Sequence, residues 1–215
     1  MRLGCALCLA AVLAIGSISP SLACKGPKVI YSDDFTERDA GWFIQPADIE
    51  SGKVAVGEGR LVVRPDPERG YTVLNMAFGL PADTDICVKA RIVESAELSR
   101  SGLGLIFWAK GFDDNYLFQV TGNGNYYVTR WAERAWQSVT PTAAVRAFKQ
   151  GLGEENVLRV VTKGQTVTVF MNDEQLARFR SPTPSGIVRA GFRASSLGKE
   201  PTAVEFRDFS VTDVP

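Results

Sequence analysis

The sequence predicts an all-β protein, folded as a sandwich or barrel. Three observations carry that prediction. Short β-type runs recur about every ten residues, Gly, Asn, Asp and Pro punctuate them, and one brief stretch, 143–150 (AAVRAFKQ), has a helical pattern. A dozen or more strands, each with two faces, must pack sheet on sheet or close on themselves. No linker, low-complexity tract or internal repeat interrupts the pattern, so residues 24–215 read as one domain with a well-buried core.

The first element is not part of that core. Met1-Arg2 is a short positive start, Leu3 to Ile18 is uncharged and apolar, and Ser19-Pro20-Ser21-Leu22-Ala23 ends in small residues. This is the layout of a secretory signal peptide over residues 1–23, cleaved after Ala23. The apolar run is shorter than the about 20 residues a spanning helix needs, and no later stretch is long enough, so no transmembrane segment is expected. The predicted location is periplasmic or secreted. Cys24 directly follows the cleavage site, so a lipid anchor through its sulfur is the alternative. Cys5 and Cys8 lie inside the signal. Cys24 and Cys87 remain, an even count that permits one disulfide in an exported chain. Closing so long a loop would stabilise by about 4 kcal/mol in the chain-entropy model. Lipid and disulfide would compete for the same sulfur.

The strand candidates follow in order. They are 29–35, 53–56, 60–64, 72–78, 86–94, 102–109, 115–121, 125–131, 136–139, 156–162, 165–171, 175–180, 187–194 and 203–212. Asn123-Gly124 predicts a two-residue hairpin turn, because both residues tolerate positive φ. That register puts Tyr116, Phe118, Val120, Tyr127, Thr129 and Trp131 on one face, and Leu117, Gln119, Thr121, Tyr126, Val128 and Arg130 on the other. A turn at Asp113-Asp114 adds Leu105, Phe107 and Ala109 to the first face. Ile106, Trp108 and Lys110 join the second. The first set reads as core and the second as a solvent-facing or ligand-facing surface. A slip of one residue would exchange the roles.

The order of motifs then becomes informative. YSDDF (31–35), GW (41–42), GLGLIFWAKGFDDNYLFQV (102–120), GNGNYYVTRW (122–131), ENVLRVVTKGQTVTVFMNDEQL (155–176), SGIVRAGFRA (185–194) and VEFRDFSV (204–211) succeed one another. This succession resembles the concanavalin A-like lectin/glucanase superfamily. Within it, it is similar to bacterial LamG-like or keto-disaccharide-hydrolase-like domains. The resemblance implies a two-sheet antiparallel jelly roll with one curved sheet. It also implies that the DDF strand lies beside the last strand, and that Asn172-Asp173 forms a β-turn.

Composition limits the chemistry. Lys plus Arg and Asp plus Glu are both 24, and there is no histidine. Residues 1–23 hold one arginine and no acid, so their removal leaves a net charge of −1. A chain this neutral is a poor match for nucleic acid. Without histidine there is no Ser-His-Asp triad, Cys-His pair or histidine-ligated zinc. Superfamily members that cleave glucans carry E-x-D-x-(x)-E on one strand, which sets two carboxylates on one face. No such run occurs here. Glu205 and Asp208 are at odd separation, which predicts opposite faces, and no residue reads as catalytic. Gly122-Asn123-Gly124 and Gly151-Leu152-Gly153 read as turn glycines. Calcium is a possible cofactor, with Asp33, Asp34 and Asp208 converging if the end strands pair, or Asp113, Asp114 and Asn115 in a loop.

Aromatic residues are the best lead to function. Sugar rings stack on Trp and Tyr, and amide and guanidinium groups bond their hydroxyls. Trp108, Gln119, Tyr126 and Arg130 form the predicted ligand-binding set, with Trp131 and Trp136 at its rim. The sequence therefore predicts a non-catalytic carbohydrate-binding module. A glycoside-processing enzyme and an envelope interaction module are the alternatives.

Overall fold

The computed structural model describes residues 24–38 and 41–215. The predicted signal segment lies outside them. In chain order the first strands are β1 (Val29–Asp33), β2 (Val54–Gly57), β3 (Arg60–Val63), β4 (Gly70–Leu74) and β5 (Thr84–Ser95). Next come β6 (Ser101–Gly111), β7 (Asp114–Thr121), β8 (Asn125–Ala132), β9 (Ala135–Ser138) and β10 (Ala143–Ala144). The last are β11 (Asn156–Lys163), β12 (Thr166–Met171), β13 (Glu174–Arg180), β14 (Arg189–Ser196) and β15 (Thr202–Thr212). The strands form two antiparallel sheets. The back sheet has the order β13-β12-β11-β5-β15-β3-β2, with β1 also on β15. The front sheet has the order β10-β8-β7-β6-β14-β4, with β9 also on β8. This is a jelly-roll β-sandwich, as the sequence predicts.

Period-two alternation builds the core between the sheets. On β5, Ile86, Val88, Ala90 and Ile92 point inward, while Cys87, Lys89 and Arg91 point out. From the front sheet, Leu103, Leu105, Phe107, Phe118, Val120 and Phe192 face them. Phe192 stacks on Phe206 across the sandwich, ring centroids 4.7 Å apart, and touches Phe35, Trp42 and Phe209. β1 lies beside β15 with Asp33 opposite Phe209, the neighbourhood the resemblance implied. Asn172 and Asp173 both have positive φ and join β12 to β13 in a two-residue turn.

The outward face of the back sheet is closed by charge pairs. Asp85, fully buried, takes a two-pronged contact from Arg159 at 2.7 Å on both arms. Cys24 is disulfide-bonded to Cys87 on this face, Cα to Cα 5.5 Å, and the Lys25 amide donates to Asp85. A lipid thioether would need the sulfur that this bond uses.

Four sequence expectations change. Residues 143–150 are not helical: only Ala143–Ala144 pair, with β8, and Val145 and Phe148 then drop into the core. One helical turn, Pro46–Glu50, stands where no element was predicted, opened by its proline. The β7–β8 loop has three residues rather than two. The Gly124 amide donates to the Thr121 carbonyl, and Gly124 itself takes positive φ, so Phe118 pairs with Val128 and Gln119 with Tyr127. Finally, a bulge at Asp208, φ 46°, turns that residue to the same face as Glu205. There Lys89 pairs with Asp208, and Arg91 and Arg207 pair with Glu205.

Candidate functional site

The one-residue change of register exchanges the faces of β8. Tyr126, Val128 and Arg130 turn inward; Tyr127, Thr129 and Trp131 turn outward. A second break lies in β6, where Trp108 has φ 49° and the pairing shifts between Phe107 and Gly111. Trp108 therefore packs on the inner side against Tyr116, and its indole N–H donates to the Ala82 carbonyl at 2.7 Å. Ala109 moves to the outer side, where it joins Leu74, Ile106 and Leu117.

The predicted binding set is thus divided three ways. Tyr126 is buried, and its hydroxyl donates to the Leu176 carbonyl. Trp108 and Arg130 do meet, with Lys110, Asp114, Tyr116 and the 182–185 segment, around a pocket of about 210 Å³ at one end of the sandwich. Arg130 is held there by both oxygens of Asp114. Gln119 alone stays on the outer face of the front sheet.

That face collects what the predicted set lacks. Trp131 and Trp136 are register partners on β8 and β9, ring centroids 5.1 Å apart. The Arg193 guanidinium lies 5.1 Å from the centre of the Trp136 ring. Yet the strands of Trp136 and Arg193 are four steps apart, about 19 Å in a flat sheet. Their long side chains therefore lean toward each other across the outer face, and the space between and beneath them is a trough. Under them Thr72, Phe112, Asn115, Trp131, Trp136 and Arg193 line a pocket of about 170 Å³. Larger clefts of about 270 and 340 Å³ flank β2, but neither collects unpartnered polar atoms or more than one aromatic ring.

The trough floor is polar in an unusual way. Asn115 and Gln119 are almost fully buried, 3% and 1% exposed. Asn115 Oδ1, Gln119 Nε2 and Thr129 Oγ1 have no hydrogen-bond partner, and they are three of four such buried atoms among the described residues. Each costs about 1–3 kcal/mol while unmade. Gln119 lies flat over Gly102, where a Cβ would come within 2.2 Å of its Nε2. Burial pushes the Tyr127 hydroxyl pKa up, opposed by the charge of Arg193. Burial likewise pushes the Arg193 guanidinium down, opposed by Tyr127. No outward position of β6, β7, β8 or β14 holds Asp or Glu.

The acids proposed for calcium do not converge, and among the described residues no three His, Cys, Asp or Glu could hold a metal. Asp33 accepts from the Trp42 indole and the Phe35 amide, Asp34 from Thr36, and Asp208 from Lys89. Asp114 is taken by Arg130, and Asn115 Nδ2 donates to the Gly111 and Phe112 carbonyls. Nor is any helix among the described residues long and apolar enough to cross a membrane.

No protein-family model and no curated protein match the sequence. Solved structures do match the fold. The carbohydrate recognition domain of Emp47p aligns with a TM-score of 0.66 at 15% identity, over 87% of this chain and 98% of that one. The catalytic domain of an endo-1,3-β-glucanase (laminarinase) from Thermotoga petrophila RKU-1 gives 0.62 at 9%, over 86% and 96%. The carbohydrate-binding module CBM66 from Bacillus subtilis gives 0.57 at 14%, over 81% and 96%. The fold is a concanavalin A-like jelly roll, shared by binding modules and glucanases alike.

Proposed function

We propose that this chain is an exported carbohydrate-binding protein whose ligand lies in the trough of the front sheet. The observation that carries the reading is the pairing of Trp131 and Trp136 over the unpartnered Asn115 Oδ1, with the unpartnered Thr129 Oγ1 and Gln119 Nε2 further along the same face. A sugar matches that pairing of groups. Its C–H face stacks on indole, and its hydroxyls both donate and accept, which suits one amide oxygen, one amide nitrogen and one hydroxyl. Gln119, picked out by the sequence, keeps its place in this set; Trp131 and Trp136 move from rim to centre. The lectin and binding-module neighbours support the class of ligand. The acid-free strands of the trough favour binding over glycosidic hydrolysis, which uses two carboxylates. The disulfide suits an oxidising compartment, in line with the predicted signal peptide.

The test is a glycan array followed by affinity electrophoresis. Trp136 is 39% exposed, so Trp136→Ala should leave the melting temperature nearly unchanged. It should weaken a retained glycan by about tenfold or more. A blank array, or a glycan held equally well by Trp136→Ala and Gln119→Ala, defeats the proposal.

A further inference from the structure

The carbohydrate reading leaves one group in the trough unexplained. Arg193 is half-buried on the outer face, between Thr72 and Trp136. Its Nη1 donates to Thr72 Oγ1 at 2.8 Å. Its Nε and Nη2 have no hydrogen-bond partner, and no carboxylate pairs with it among the described residues. Several other partly buried guanidinium groups of this protein have a carboxylate counter-ion. Arg91 and Arg207 face Glu205, Arg130 faces Asp114, and Arg159 faces Asp85. A charge drawn out of water without a partner is costly. The cost here is met in part by the Trp136 ring. The fold also makes room for the group: a Cβ on Gly70 would come within 2.2 Å of Arg193 Nη2. The neighbouring Gln119 Nε2 is a second unpartnered donor on the same face.

We infer that the trough recognises an acidic glycan, with the free edge of Arg193 binding an anionic substituent of the sugar while its rings lie on Trp131 and Trp136. This rests on the carbohydrate reading above and narrows it to sugars bearing a carboxylate or a sulfate ester. A carboxylate suits the planar two-donor edge, because two parallel N–H···O contacts give a charge-assisted pair. Gln119 Nε2 then serves a further oxygen of the same residue. The trough has no acid of its own to repel such a ligand.

The test compares four polymers on the whole exported protein by affinity electrophoresis and calorimetry. They are polygalacturonate oligomers, the same oligomers methyl-esterified, dextran sulfate and neutral dextran. The expected result is retention of a charged polymer, with the uncharged counterpart bound about 10- to 100-fold more weakly. Retention of polygalacturonate identifies a carboxylate; retention of dextran sulfate alone identifies a sulfate ester. The esterified comparison needs no variant, so it stands even if substitutions at Arg193 fold poorly. Arg193→Gln, and Gly70→Ala by displacing the guanidinium, should erase the preference for charge. Equal binding of charged and uncharged polymers, with both weakened by Trp136→Ala, overturns the acidic-glycan inference and leaves the carbohydrate reading intact. No retention of any glycan by the wild-type protein, on these polymers or on the array, overturns both.

Discussion

Single buried charges set the sharpest local constraints in this molecule. Asp85 is fully buried and Arg159 is 7% exposed, so neither can be solvated if the other is removed. Arg159 also lies over the Phe170 ring, 4.8 Å from its centre. Arg159→Leu should therefore cost about 3–5 kcal/mol, since it strands a carboxylate under the disulfide. The double change Asp85→Leu with Arg159→Leu should cost much less than the single one, because no charge is left alone. Urea unfolding of the two variants checks both statements. At the trough the reasoning runs the other way. There the unmade contacts of Asn115, Gln119 and Arg193 are a standing cost in the free protein, and each is one that a ligand can recover.

At the scale of strands, turns decide which residues a ligand could meet. Glu133 and Arg134 join β8 to β9 with φ of 53° and 62°, a conformation Asn and Gly adopt at little cost and these residues do not. Replacing the pair by Asn-Gly should stabilise the protein by about 1 kcal/mol, raising the melting temperature by about 2–4 °C. A thermal melt that falls instead would show that this hairpin carries no such strain. The same physics explains what could be read in advance. Every predicted strand is present, because alternation and turn residues report strand existence directly. The binding set was harder. Asn123-Gly124 looked like a two-residue turn, but Gly122 widens the loop by one, and one residue moves Tyr126 and Arg130 to the other face. Nothing in the run LIFWAKG announces that Trp108 will adopt positive φ and break the alternation. Gln119 lies on the outer face that its parity on β7 predicts, with its register shared by both neighbouring hairpins. Arg193 carried no signal of its own: the sequence shows an arginine on a strand, but not that its counter-ion is missing.

Across the whole molecule, one covalent bond ties the first described residue to the middle of the back sheet. Cys24 and Cys87 are 63 residues apart, and the bond holds β5 against the segment leading to β1. Reducing it, or making Cys87→Ser, should lower stability by about 2–5 kcal/mol. Denaturant unfolding with and without reductant measures the loss. Intact-mass analysis of the purified protein should find no lipid on Cys24; a lipid-sized increase there would contradict the bond.

The pairing of β1 with β15 also decides how the molecule can be held. Residues 24–33 and 209–213 run together along the back sheet, with the Lys28 amide bonded to the Asp213 side chain. The trough opens on the opposite side of the sandwich. Anything attached at either end of the domain, whether a tag, a linker or a sensor surface, would thus sit a full sandwich thickness away from the ligand. Many copies fixed to one surface by an end would all turn their troughs outward. Such an array could grip a long polymer at several points at once, multiplying weak single contacts into lasting attachment.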